Sequence, residues 1–71
     1  MHNISKQTSF FIFLLEQYAN YKSCTTDEVL KQWDNLGITD LIYNMYERYH
    51  IEAIENAFDD IDKLILEKYK H

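Results

Sequence analysis

Glu47 and His50 stand three residues apart, a spacing that puts a carboxylate and an imidazole on one edge of a helix. Di-iron helical bundles use that Glu-x-x-His pair, but they need a second copy of it and further glutamates from other helices. The other histidines are His2 and His71, at the two ends of the sequence, so no metal ion or cofactor is expected. The alternative role for His50 is to close a helix end, where a positive charge suits the macrodipole. Asp59, Asp60 and Asp62 form an acidic run without the glycine turn and alternating ligands of a calcium loop. They are expected on a solvated helix face, with Asp59 paired to Lys63 four residues on. A docking surface is the other reading of that run. Cys24 is the single cysteine, and no third group is implied that would orient a Cys24–His50 pair for nucleophilic attack. Phosphate-binding loops, Ser/His/Asp groupings and dinucleotide fingerprints are missing from the sequence. The chain is therefore not expected to be an enzyme.

The tyrosines carry more information. Tyr46, Tyr49 and His50 crowd one stretch, with Tyr43 on its flank. A phenol packs its ring while its hydroxyl meets water or a partner, which suits both core edges and interfaces. Ile12 and Phe13 raise the same question from the first helix. At about 100° per residue, Phe10, Phe11, Leu14, Leu15, Tyr18 and Tyr21 share one arc, and Ile12 and Phe13 fall outside it. Either they are partly exposed and covered by a partner, or the last helix wraps far enough to bury them. The candidate partner-binding residues are Ile12, Phe13, Tyr43, Tyr46, Glu47, His50, Asp59 and Asp60.

Four helices are needed to position these residues, at about 5–22, 26–36, 40–50 and 53–69. The second opens on a capping box at Thr25 to Glu28, buries Val29, Leu30, Trp33 and Leu36, and stops at Gly37. The third starts from Thr39 as N-cap, with Leu41, Ile42, Met45, Tyr46 and Tyr49 inward. The fourth turns Ala53, Ile54, Ala57, Phe58, Ile61, Leu64, Ile65 and Tyr69 inward. Nothing like a glycine or proline separates the last two helices, but the apolar stripe shifts by roughly 120° between Tyr49 and Ala53. That phase jump predicts a turn at His50 to Glu52. The expected architecture is all-α, a compact bundle forming a single helical domain over 1–71.

Seventy-one residues make a marginal core. No internal disulfide or zinc site can staple it. Four Phe, six Tyr and one Trp offer dense packing instead. A net charge of −5 argues against nucleic acid and against anionic membranes, and suits a basic protein cleft. The longest apolar run, Phe10 to Leu15, falls far short of the about 20 residues that span a bilayer. With no signal-peptide pattern and a lone cysteine, a cytoplasmic location is expected.

Two families share features with the chain. Leu36-Gly37-Ile38-Thr39-Asp40-Leu41, followed by Tyr46 to Ile51 and Phe58 to Ile65, is faintly similar to acyl carrier proteins. Those carry phosphopantetheine on the serine of an Asp-Ser-Leu motif, and Thr39-Asp40-Leu41 has no such serine, which excludes a carrier role. A second resemblance covers nearly the whole chain. Its marks are Phe10-Phe11-Ile12-Phe13-Leu14-Leu15-Glu16-Gln17-Tyr18, Thr26 to Trp33, Tyr43-Asn44-Met45-Tyr46-Glu47-Arg48-Tyr49-His50 and Glu55-Asn56-Ala57-Phe58-Asp59-Asp60-Ile61-Asp62. On these the chain resembles a family of small bacterial all-helical proteins known only as a domain of unknown function. Many relatives have threonine after the histidine, where this chain has Ile51, so a role of that threonine does not transfer. Members are often encoded near toxin-like proteins, some similar to ADP-ribosyltransferases. The resemblance implies an antitoxin or accessory role. The expected function is a non-enzymatic protein–protein interaction module. The alternative is a small helix-turn-helix transcriptional regulator, for which Arg48 would be the third helix's only basic residue.

Overall fold

The computed structural model describes residues 5–69, so His2 and His71 lie outside the described residues. Five helices follow one another: α1 (Lys6–Tyr21), α2 (Thr26–Leu36), α3 (Thr39–Tyr43), α4 (Tyr46–Tyr49) and α5 (Ile54–Tyr69). There is no strand among the described residues, so the all-α expectation holds. No helix there is long and apolar enough to cross a membrane.

Local sequence explains most of the ends. Ser5 caps α1 by accepting the Thr8 amide. In α2 the Thr25 hydroxyl accepts from the Glu28 amide while the Glu28 carboxylate accepts from the Thr25 amide, the capping box read from sequence. Those bonds, the backbone one first, hold the Glu28 carboxyl below its ordinary range. Gly37 ends α2 at φ 72°, in the left-handed region that glycine enters without steric cost. Its amide and that of Ile38 return to Asp34 and Trp33.

The predicted third helix, 40–50, is not continuous. It breaks at Asn44 and Met45 into α3 and α4. In an unbroken helix the Tyr43 carbonyl would accept the Glu47 amide. Here Gln7 Nε2 donates to that carbonyl at 2.9 Å instead. The Tyr43 hydroxyl shares a hydrogen bond with Thr8 Oγ1 at 2.8 Å. Both ties come from the first turns of α1, so the break is fixed by tertiary contacts. Thr39 is not a cap either: Ile38 is the N-cap residue and has no side-chain cap bond, and the Thr39 hydroxyl donates to Asp34 Oδ1. Ile38, which periodicity did not single out, is fully buried. The turn predicted at His50 to Glu52 is present between α4 and α5.

α1 packs against α2, α3 and α4, and α5 packs against α2 and α4 and meets the end of α1 through Tyr18 and Tyr21. Trp33 sits at the centre, with no exposed surface. Its indole meets Phe11 edge-on at 5.9 Å and Tyr18 at 5.7 Å between ring centroids. Leu14, Leu15, Ala19, Val29, Ile38, Ile42, Tyr49, Ala57, Phe58 and Ile61 complete the buried cluster. Four residues expected inside are instead exposed: Tyr21, Leu41, Ala53 and Tyr69. Tyr21 still serves the core from its edge, stacked on Phe58 at 4.8 Å.

Candidate functional site

Phe10 is the hub of the surface that the candidate residues form. It lies on α1 one turn before Phe13, and the two rings are 6.4 Å apart. Across the α1–α4 contact the Phe10 edge meets Tyr46 at 5.7 Å and His50 at 6.5 Å. Tyr46 and His50 stack on each other at 4.2 Å with 10° between planes. The i, i+4 spacing within α4 and its C-cap brings about that stack. His50 closes α4: its Nδ1 lies 2.6 Å from the Tyr46 carbonyl oxygen. A carbonyl only accepts, so Nδ1 carries the proton in this arrangement. The result is a continuous strip of four rings.

The strip is open to solvent at both ends. Phe13 is 49% exposed and His50 is exposed, while Phe10 and Tyr46 are half-buried between them. Ile12, on the other flank of Phe13, is 41% exposed. The reading in which the last helix wraps over Ile12 and Phe13 is therefore wrong for the isolated chain. α5 lies along α2 and α4 and does not cover Ile12 and Phe13 on α1. Ile51, directly after His50, is 75% exposed and extends the apolar surface. Carboxylates border it: Glu16 one turn beyond Phe13, Glu47 beside Tyr46, and Glu52 after Ile51, all exposed. Lys6 and Arg48 are the cations on the same two helices. Arg48 is engaged, with Nε 3.7 Å from Glu52 and a terminal nitrogen 3.4 Å from Asp60.

The remaining candidates lie elsewhere. Tyr43 faces the other side of α1, edge-on to Phe11 at 5.5 Å, and is a structural tie. Glu47 lies on α4 and His50 is its C-cap residue, and the described residues contain no group of three His, Cys, Asp or Glu placed to hold a metal ion. Cys24 is exposed, and its thiol donates to the Lys22 carbonyl.

The acidic run corrects the sequence reading. Asp59 is exposed, but its expected ion pair with Lys63 does not form among the described residues. Asp60 and Asp62 do not simply face solvent; they accept phenols. Tyr49 donates to Asp60 at 3.0 Å and Tyr18 to Asp62 at 2.5 Å. Lys22 adds an ion pair to Asp62 at 3.1 Å. Both phenols are held above the ordinary pKa of 10.0, first by burial and then by the adjoining carboxylate. These bonds attach α5 to the body, so Asp60 has a scaffold role. Sequence reasoning missed Phe10 because it also lies on the core arc. The Phe10–Phe13 spacing was the available signal.

No curated protein and no solved structure matches the chain. One family does, over a span from Ser9 in the first turn of α1 to Lys68 near the end of α5, which includes every ring of the strip. With residues 9–68 matched, the chain belongs to the family described as Protein of unknown function (DUF3791).

Proposed function

We propose that the chain is a non-enzymatic protein–protein interaction module that docks a partner on the Phe13–Phe10–Tyr46–His50 strip. The observation that supports it most is Phe13 itself. A half-exposed phenylalanine continuous with three more rings is a patch, unlike scattered single apolar residues. Aromatic anchors inside a polar rim are what interface centres use. The rim carboxylates Glu16, Glu47 and Glu52, with the net charge of −5, suit a basic partner surface.

The specific form of the proposal is a neutralising or accessory partner of a toxin-like enzyme, acting in the cytoplasm. That form rests on the resemblance to proteins encoded beside such enzymes. The helix-turn-helix alternative has less support. α3, after the Gly37 turn, has five residues, too few for a recognition helix that must reach several bases and phosphates. Arg48 lies on α4 and is occupied by Glu52 and Asp60.

A pull-down from the native host tests the proposal, with the parent chain and a Phe13→Asp variant as baits. A toxin-like enzyme retained by the parent and lost by the variant is the expected result. Equal retention by both baits would remove the strip from the account. Recovery of nucleic acid in place of protein would overturn the module reading.

A further inference from the structure

The turn between α4 and α5 contains nothing that obliges the chain to bend. His50, Ile51, Glu52 and Ala53 include no glycine or proline, and all four are exposed. Positive φ occurs among the described residues only at Ser23 and Gly37, in the two earlier turns. His50 already has helical angles, φ −75° and ψ −16°. The bend is therefore maintained by the docking of α5 and not by the turn's own chemistry.

That docking is narrow. Ala57, Phe58 and Ile61 are the buried residues of α5. Among the described residues, every side-chain hydrogen bond or ion pair from α5 to the rest of the chain ends on Asp60 or Asp62. Two residues apart on a helix, these carboxylates flank the apolar face on opposite sides. Asp60 grips Tyr49 at one flank and Asp62 grips Tyr18 at the other. Beyond Asp62 only Leu64 and Ile65 pack partly against the core, and Leu66 and Tyr69 are exposed beside an open groove against α2.

We propose that α5 exchanges between two copies of this chain. The 50–53 turn straightens, α4 runs on into α5 as one helix, and each α5 docks on the other copy's α2 and α4 and on the end of its α1. The second copy's α5 is the occupant because the vacated site is complementary to it. A foreign helix would need an apolar face bracketed by two carboxylates to satisfy Tyr18 and Tyr49. Each contact of the closed form is remade in trans, so the exchange is opposed chiefly by association entropy. The straightened turn gains helical hydrogen bonds for the Ile51, Glu52 and Ala53 amides, which donate no backbone hydrogen bond among the described residues.

Sedimentation velocity from micromolar to millimolar protein, before and after refolding from urea, tests this, together with isotope-filtered NMR on mixed labelled chains. The Tyr18 and Phe58 rings, 5.7 Å apart, report which chain supplies α5. A dimer with an intermolecular Tyr18–Phe58 contact is expected. Ala53→Pro should weaken that dimer by roughly a hundredfold or more, because proline fits the start of α5 but not a helix interior. Insertion of two glycines after Ile51 should have the same effect and serves if the proline variant does not fold. A chain that stays monomeric throughout overturns the proposal. So does a dimer whose Tyr18–Phe58 contact stays within one chain. Dimerisation of the foldable hinge variant at the parent's strength is equally fatal.

Discussion

The Tyr49 hydroxyl donates to Asp60 Oδ2 at 3.0 Å across the turn between α4 and α5, and so ties the end of one helix to the middle of the next. Tyr18 and Asp62 make the corresponding tie from α1. Tyr49→Phe keeps the ring and deletes the donor, and should cost about 1–2 kcal/mol in urea unfolding, since a hydrogen bond to a charged group is lost. Tyr18→Phe should behave alike. Burial and the adjoining carboxylates disfavour ionisation of both phenols in the fold. The unfolded chain therefore gives up those protons first. Their contribution to stability is full below pH 10.0 and declines as pH rises above it. In the double Phe variant this part of the alkaline loss should disappear; an unchanged profile would separate the phenols from it.

Trp33→Ala should cost about 3–5 kcal/mol, most of the stability of a small domain. Trp33 is fully buried between Phe11 and Tyr18, and its truncation leaves a large void. The indole N–H finds no acceptor among the described residues. Trp33→Phe therefore removes no hydrogen bond and should cost much less than Trp33→Ala. Thermal melts followed by circular dichroism check both; a melting midpoint unmoved by Trp33→Ala would contradict the central position of this side chain.

Gly37→Ala should destabilise by about 1 kcal/mol, and Gly37→Asn by less, because asparagine tolerates the left-handed region. An added Cβ at Gly37 would meet no atom within 4 Å, so backbone conformation alone sets the penalty. Equal stability of the alanine and glycine forms in chemical denaturation would show that φ 72° is not required here.

Signals that lie within one stretch of chain were legible in the sequence. The Thr25–Glu28 box, the Gly37 stop, the burial of Trp33 and the turn after Tyr49 all follow from local spacing or phase. The break at Asn44 was not legible, because its cause is Gln7, 36 residues away in sequence. Asp60 and Asp62 read as solvated for the same reason: a helical wheel does not show that Tyr49 and Tyr18 point at them. The exposure of Phe13 was legible as one of two alternatives. Its joining to Tyr46 and His50 through Phe10 needed the α1–α4 contact.

Phe13→Asp, followed by circular dichroism and by capture of the host partner on the same preparation, tests the interaction-module account most directly. Phe13 is half-exposed and outside the buried cluster, so the melting midpoint should stay within the small shift expected of a surface change. Partner capture should be lost, because a charge replaces an interface anchor. A variant that folds like the parent and retains the partner as well as the parent does would contradict the account.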